Sequence, residues 1–284
     1  SSPSMARLDQ VTDDHEMGFF DHIDVMRKHI MRSVLAIVIF AGVALANTRW
    51  VFDSFLFGPV KSDFITYRLL CKFSMWVRPI LCNVSSVFCP EEGLCMKDFN
   101  ITFLNTELFG QFISQIQICI VLGIVAAFPY IIFEIWRFVR PALSEEESKK
   151  SSRIIIFSSL FFFVGVLFAY FLVVPFSLSF ANSYVISSQI ENRFTFDNYV
   201  GFITMMMLGS GLVFELPMIV YFLAKMGLLT ATFMRTYRRH AIVVILIVAA
   251  VITPSPDMFT MMVVAVPIYF LYELSIILAQ KINP

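Results

Sequence analysis

Several features that would identify an enzyme or a nucleic-acid-binding protein are missing from this sequence. No Gly-x-Ser-x-Gly or His-Glu-x-x-His motif occurs among its 284 residues, and no two aspartates share an apolar stretch, so neither a membrane protease nor a metal site is predicted. The 21 basic and 21 acidic residues balance, which leaves no general electrostatic footprint for nucleic acid. No internal repeat is visible, which counts against the common plans of secondary transporters. We therefore expect no catalytic residue, no metal ion and no other cofactor.

Apolar residues dominate the chain instead. They make up 58% of it, and the mean hydropathy is +0.78, whereas soluble domains contain about 45–50% apolar residues. The first 28 residues are polar and lack the apolar core of a cleavable signal peptide. The composition predicts a polytopic protein with the lipid bilayer as its solvent.

The apolar stretches predict an all-α fold with six transmembrane helices. The fifth has about 14 residues and rises about 21 Å, against a hydrocarbon core of about 30 Å, so helices five and six are expected to form a short hairpin near one leaflet. Aromatic residues at the start of a polar segment over about 49–105 look interfacial: Trp50, Phe52, Phe55 and Phe57. The predicted spans cover about 29–47, 107–134, 153–175 (ending at Pro175), 199–224, 240–253 and 258–279.

The distribution of charge predicts the orientation. With the N-terminus inside, 14 Lys and Arg residues lie inside and 7 outside, and most of the outer ones belong to the long polar segment, which counts little. Both termini are therefore expected in the cytoplasm. The predicted organisation is a cytoplasmic amphipathic lead-in at 1–28, a membrane domain at 29–279 and a short cytoplasmic tail at 280–284.

Four of the five cysteines lie close together in the long polar segment. If this segment faces an oxidising compartment, Cys71, Cys82, Cys89 and Cys95 are expected to form two disulfides, and three pairings are possible. A zinc site is the rival interpretation, but the segment contains neither a Cys-x-x-Cys pair nor a histidine. Cys119 lies in an apolar helical pattern and is expected to be a small buried residue.

Glu215 stands alone in the apolar stretch 200–224. A carboxylate at membrane depth costs about 2.5–3.5 kcal/mol on insertion scales, so it should face protein or water rather than lipid. Two interpretations are equally supported by this residue alone. It is either a functional polar group, or a protonated side chain hydrogen-bonded to a neighbouring helix.

Acidic residues also gather near the cytoplasmic edge, at Asp21 and Asp24 before the first span and at Glu145, Glu146 and Glu147 before the third. Such acids can bind a guanidinium group by paired hydrogen bonds. Alternatively, Ser144 and the three glutamates form a solvated helix N-terminus, where the helix dipole favours negative charge. Composition alone favours this second interpretation.

Four short motifs change that weighting. They read His-Ile-Asp-Val-Met-Arg at 22–27, Phe-Val-Arg-Pro-Ala-Leu-Ser-Glu-Glu-Glu at 138–147, Phe-Glu-Leu-Pro at 214–217, and Thr-Pro at 253–254 followed by Asp257. In this order they resemble the motifs of the TatC family, the signal-receptor subunits of the twin-arginine translocase. The resemblance covers about residues 18–279, apart from about 68–104, which looks like a Cys-bearing periplasmic insertion.

The chain departs from the family pattern in two places. The family's second lead-in acid falls at Val25, and the nearest acid, Asp24, lies about 100° away around a helix. Glu147 aligns with the family's other signal-binding acid, so the pocket is built either from Asp24 and Glu147 or mainly from the Glu145–Glu147 cluster. The turn near Asp257 contains one extra residue, Ser255.

The resemblance implies a glove-like, concave bundle in the cytoplasmic (inner) membrane. It implies a non-enzymatic receptor that binds twin-arginine signal peptides of folded cargo and exports the cargo using the proton gradient. The implied partners are single-span subunits of the TatA and TatB type, further copies of the chain within a receptor complex, and the lipid bilayer. The implied signal-binding residues are Asp24, Arg27, Phe138, Pro141, Leu143, Glu145, Glu146 and Glu147. The implied partner-helix or intramembrane polar residues are Glu215, Pro217 and Asp257.

Two other functional classes are compatible with an intramembrane carboxylate. A proton-coupled small-molecule transporter would use Glu215 as its proton site and would need a second polar group at the same depth, for which Glu134 and Glu273 are the candidates. A purely structural membrane scaffold would need neither of the two acid clusters.

We predict two disulfides among Cys71, Cys82, Cys89 and Cys95, and a free thiol at Cys119. Each bridge closes a short loop and is expected to stabilise the ordered segment by about 2–4 kcal/mol. Thiol counting on denatured, unreduced protein should find one free thiol. Four or more would contradict this prediction.

Overall fold

The computed structural model describes residues 19–61, 63–69, 71–72, 75, 102–139, 145–184, 187, 193–253 and 258–282. Over these residues the protein is almost entirely helical, and the expected all-α membrane fold is confirmed. The numbered α-helices are α1 (Phe19–Ala46), α2 (Gly110–Val139), α3 (Glu145–Phe168), α4 (Val174–Ser183), α5 (Phe196–Phe214), α6 (Leu216–Lys225), α7 (Ala231–Thr236, a short helix), α8 (Arg238–Ile252) and α9 (Met258–Ile282).

Shorter elements connect α1 and α2 on one side of the bundle. A helical turn at Thr48–Trp50 leads into a π-helical turn at Val51–Leu56 and a 3-10 turn at Gly58–Val60. The strands β1 (Phe103–Leu104) and β2 (Phe194–Thr195) pair in parallel, with Phe103 opposite Phe194. This pairing joins the segment before α2 to the segment before α5.

Five helical segments in the described part of the chain are long and apolar enough to cross a membrane: Met26–Ala46, Gly110–Phe138, Ile154–Asn182, Phe196–Lys225 and Thr260–Ile282. The remaining predicted span is α8, whose 15 residues rise about 22 Å, in agreement with the expected short helix. Its neighbour α9 is not short, because it runs for 25 residues through Pro267.

The first span lies close to its predicted position, at Met26–Ala46, within a helix that begins at Phe19. The predicted end of the third span is wrong. The third span does not end at Pro175. A π-helical turn at Ala169–Val173 precedes this proline, and the helix continues to Ser183. Proline cannot bond the carbonyl four residues earlier, and the hydroxyl of Thr66 donates to that carbonyl, Phe171 O, instead.

The aromatic segment after α1 packs on the bundle more than the interfacial interpretation allowed. Trp50 is exposed, but Phe52, Phe55 and Phe57 pack against the hydrophobic core. Tyrosine hydroxyls from elsewhere in the bundle hold this segment in place: Tyr170 donates to Phe55 O (2.7 Å) and Tyr199 donates to Leu56 O (2.6 Å). Within the segment itself, Tyr67 donates to Pro59 O (2.9 Å).

The core lies where α2, α3, α5, α8 and α9 meet, around buried side chains such as Ile118, Phe162, Met206, Ala249 and Ile268. Glycines bring α3 and α5 close together. A Cβ atom at Gly165 would lie 2.6 Å from the carbonyl oxygen of Ser210 and 2.8 Å from Phe214 Cβ. Without a hydrophobic force between helices in lipid, such close backbone packing supplies much of the association energy.

We predict that Gly165→Ala destabilises the bundle, because the added methyl group would overlap backbone and force α3 away from α5. Overpacking of this kind typically costs about 1–3 kcal/mol. The matched control is Gly201→Ala on α5, where no atom lies within 4 Å of the added Cβ. Thermal unfolding in detergent should show a lower midpoint for the Gly165 variant alone. Equal midpoints would mean that the helices can separate without loss of stability.

Candidate functional site

Glu215 occupies a break between α5 and α6. Pro217 follows within the first turn of α6 and has no N–H to donate, so a regular helix cannot pass through this point. The Glu215 N–H bonds the Leu212 carbonyl (3.1 Å), and the Glu215 carbonyl accepts from Met218 N (2.9 Å). The carboxylate therefore projects from a helix interruption whose backbone groups are still bonded within the chain.

The side chain of Glu215 reaches a large apolar cavity between four helices. The cavity has a volume of about 730 Å³, and apart from Ser158 and Glu215 its walls are aliphatic and aromatic. This is the concave face that the resemblance implied. The lining residues come from α2 (Ile124, Phe128, Ile131, Ile132, Ile135, Trp136), α3 (Ile154, Ser158, Phe162), α5 (Leu208, Leu212), α6 (Met218, Ile219, Phe222, Leu223) and the break itself (Glu215).

Only half of the Glu215 carboxylate is satisfied. Ser158 donates from Oγ to Oε2 at 2.5 Å, which agrees with a hydrogen bond to a neighbouring helix. The other oxygen, Oε1, is buried and has no hydrogen-bond partner within the described part of the chain. Because a buried, unpaired oxygen is unfavourable, this site can accept one further donor from a group that enters the cavity.

The lead-in and the end of α2 meet at a second location. Asp24 and Arg27 are exposed near the start of α1. One turn further along, the His29 ring contacts the edge of the Phe138 ring, with centroids 6.2 Å apart. The backbone of Glu145, Glu146 and Glu147 begins α3. The predicted residues Pro141, Leu143 and Asp257 lie outside the described residues.

A buried polar cluster at this location was not expected from the sequence. Glu134 is 2% exposed; its Oε2 accepts from His29 Nδ1, and its Oε1 accepts from the Tyr130 hydroxyl at 2.7 Å. The sequence had suggested Glu134 only as a candidate second polar group for a proton-coupled transporter. The spacing of Tyr130 and Glu134, four residues apart on one helix face, was the available signal.

The acids required by a proton-coupled transporter are engaged elsewhere. Glu273 accepts from Arg238 at 2.7 Å and from the Tyr269 hydroxyl at 3.1 Å, and Glu134 is held by His29 and Tyr130. Neither of the two lines the Glu215 cavity. The second polar group that this function needs is therefore not supplied by either candidate.

Two of the five cysteines, Cys71 and Cys119, lie among the residues that the structure describes. Cys71 is disulfide-bonded, and Cys119 is buried and free. Cys82, Cys89 and Cys95 lie outside the described residues, so the prediction of two bridges stays a prediction. No group of three or more His, Cys, Asp or Glu side chains could hold a metal ion in the part of the chain that the structure describes.

Comparisons with known proteins agree with this geometry. The family profile described as Sec-independent protein translocase protein (TatC) matches residues 21–267. A Sec-independent protein translocase protein TatC from Blattabacterium sp. subsp. Periplaneta americana is 37% identical over 95% of this chain and 97% of its own length. The protein of the same name from Carboxydothermus hydrogenoformans is 32% identical over 96% of both chains.

Two solved structures share the fold. A crystal structure of the twin arginine translocase receptor TatC superimposes with a TM-score of 0.66 at 24% identity, covering 93% of this chain and all of the other. A crystal structure of the same receptor in DDM superimposes with a TM-score of 0.69 at 25% identity, covering 91% of this chain and 99% of the other.

Proposed function

This chain belongs to the TatC family of Sec-independent protein translocase proteins, and from that we propose that it is the receptor subunit that binds twin-arginine signal peptides. It is a multi-pass membrane protein, and its relatives are named as components of a protein translocase, which is a transport role. In the proposed role it works with single-span partner subunits of the TatA and TatB type, as one of several copies in a receptor complex, and exports folded proteins across the cytoplasmic membrane. The proton gradient drives export, and both termini face the cytoplasm.

The observation that carries this proposal is the apolar cavity with a half-satisfied carboxylate. Its walls suit an apolar helix, from a signal peptide or from a single-span partner. The free oxygen of Glu215 favours a helix that carries a donor at the matching depth. Interhelical hydrogen bonds of this kind contribute about 0.6 kcal/mol on average in membranes, and up to about 1.7. A contact of that strength can form and break during transport.

Binding of the twin-arginine pair itself is proposed for the cytoplasmic end, around Asp24, Arg27, Phe138 and the acids that begin α3. Two guanidinium groups require carboxylates that can accept from the N–H groups along their edges. At 100° per residue, Asp24 lies about 140° around α1 from His29, whereas position 25 lies about 40° around the helix from His29. Because His29 is on the side of α1 that meets α2, Asp24 lies away from Phe138. This favours the interpretation in which the pocket depends mainly on the Glu145–Glu147 cluster.

We expect Glu147→Ala to weaken binding of a twin-arginine signal peptide, because one charge-assisted hydrogen bond to a guanidinium group is lost. Such a bond contributes about 1.5–3 kcal/mol. The measurement is the affinity of purified protein for a labelled signal peptide, with a Lys-Lys version of the peptide as control. If affinity is unchanged even after Glu145 and Glu146 are also neutralised, this site is not where the signal binds.

We expect Glu215→Ala to fold and to bind signal peptide normally, yet to export poorly, since a partner helix loses its acceptor. Glu215→Gln keeps a hydrogen-bond acceptor but has no ionisable proton. It therefore distinguishes the effect of the hydrogen bond on export from the effect of charge. A photo-crosslinker at Ile219, which lines the cavity, should capture a single-span partner in native membranes. The same crosslinker at Val251, exposed on α8 away from the cavity, is the control. Wild-type export by the Ala variant without such a crosslink would make Glu215 structural.

A further inference from the structure

The cluster of His29, Glu134 and Tyr130 joins the two helices that flank the proposed signal-binding site. Both oxygens of the Glu134 carboxylate are engaged, one by His29 of α1 and the other by Tyr130 of α2 itself. The carboxylate is almost completely buried, and the side chain of His29 is 14% exposed. A buried acid with both oxygens bonded holds its partners in one geometry more strictly than apolar packing does.

Helix α1 packs chiefly on one neighbour. The apolar part of α1, Met26–Ala46, contains no buried residue, and its main neighbour is α2. Closer to the other end, α1 approaches α2 at Gly123, where an added Cβ would lie 2.8 Å from the Ile37 carbonyl. Among the described residues, no other hydrogen bond between side chains links α1 to another helix. The described part of the lead-in, from Phe19 onward, forms the first turns of this helix.

The charges around the cluster reinforce its role. Arg32 of α1 interacts electrostatically with both Glu134 and Tyr130, and Arg137 of α2 interacts with Tyr130. The basic groups that act on Glu134 itself, His29 and Arg32, both belong to α1, whereas Glu134 belongs to α2. Its negative charge therefore attracts α1 to α2, and it offsets the Arg32 guanidinium close to the place where the guanidinium groups of a signal peptide are proposed to bind.

We propose that His29 and Glu134 are positioning residues for signal recognition: their bond sets the angle of the lead-in relative to Phe138 and the start of α3. This inference rests on the proposed function. Because His29 also contacts the Phe138 ring, one side chain connects the lead-in, the buried acid and the end of α2. Neither His29 nor Glu134 needs to touch the peptide.

The first test is peptide binding by variants of the full-length protein in lipid nanodiscs. His29→Ala and Glu134→Ala should each weaken the affinity for a labelled Arg-Arg signal peptide by about 3- to 20-fold, the range expected for one interhelical hydrogen bond in a membrane protein. The reversed pair, His29→Glu combined with Glu134→His, should restore most of it. Gln117→Leu is the matched control, because it removes a hydrogen bond of similar kind between α2 and α5, to Thr204 at 3.0 Å.

The second test does not depend on the peptide. Spin labels at Lys28 and Phe133, which are exposed on α1 and α2, report the separation of the two helices. The distance distribution should broaden in His29→Ala and narrow again in the reversed pair. A distribution unchanged from the wild type overturns the inference. So does equal weakening of binding by Gln117→Leu. If the wild-type protein does not bind the peptide, the proposed function is wrong. The distance measurement still tests whether the bond between His29 and Glu134 fixes α1 relative to α2.

Discussion

The backbone polar groups that this protein carries into the bilayer need hydrogen-bond partners within the protein, because lipid tails offer none. The helix around Pro175 shows how strictly this holds. The proline releases the Phe171 carbonyl, and the hydroxyl of Thr66, far away along the chain, donates to it. Tyr170 and Tyr199 likewise donate to carbonyls of the turns that follow α1. The short turns stay on the bundle because the long helices satisfy their backbone.

Hydrogen-bond partners also distinguish three acids from one another: Glu273, Glu134 and Glu215. Glu273 has a full set of partners in Arg238 and Tyr269, and Glu134 has one in His29 and Tyr130. Glu215 has Ser158 on one oxygen and no described partner on the other, at the wall of an apolar cavity. A fully bonded acid fixes structure, whereas a half-bonded acid beside an opening is poised for another molecule. This difference, more than burial, makes Glu215 the functional candidate.

Much of the fold was predictable from the sequence, because crossing a membrane requires long apolar helices whose length is set by the bilayer. All the long spans and the short α8 were expected. Errors arose at ends and interruptions. Helix six was expected to be short, yet α9 runs for 25 residues. Pro175 reads as a stop, yet the helix continues, because Thr66 supplies the missing donor. Hydropathy carries no information about such distant donors.

The sequence alone therefore determined that this is a six-span membrane protein with one isolated acid at depth, and its short motifs indicated the family. Only the tertiary structure decided which acid is fully paired, which is half paired, and which helices form the cavity. It also showed that His29 and Glu134, 105 residues apart in the sequence, join α1 to α2. The physical reason is that the apolar pattern that predicts a buried helix is local in the sequence. Hydrogen-bond partners such as Tyr199 and Leu56 are 143 residues apart in the sequence and meet only when the helices pack.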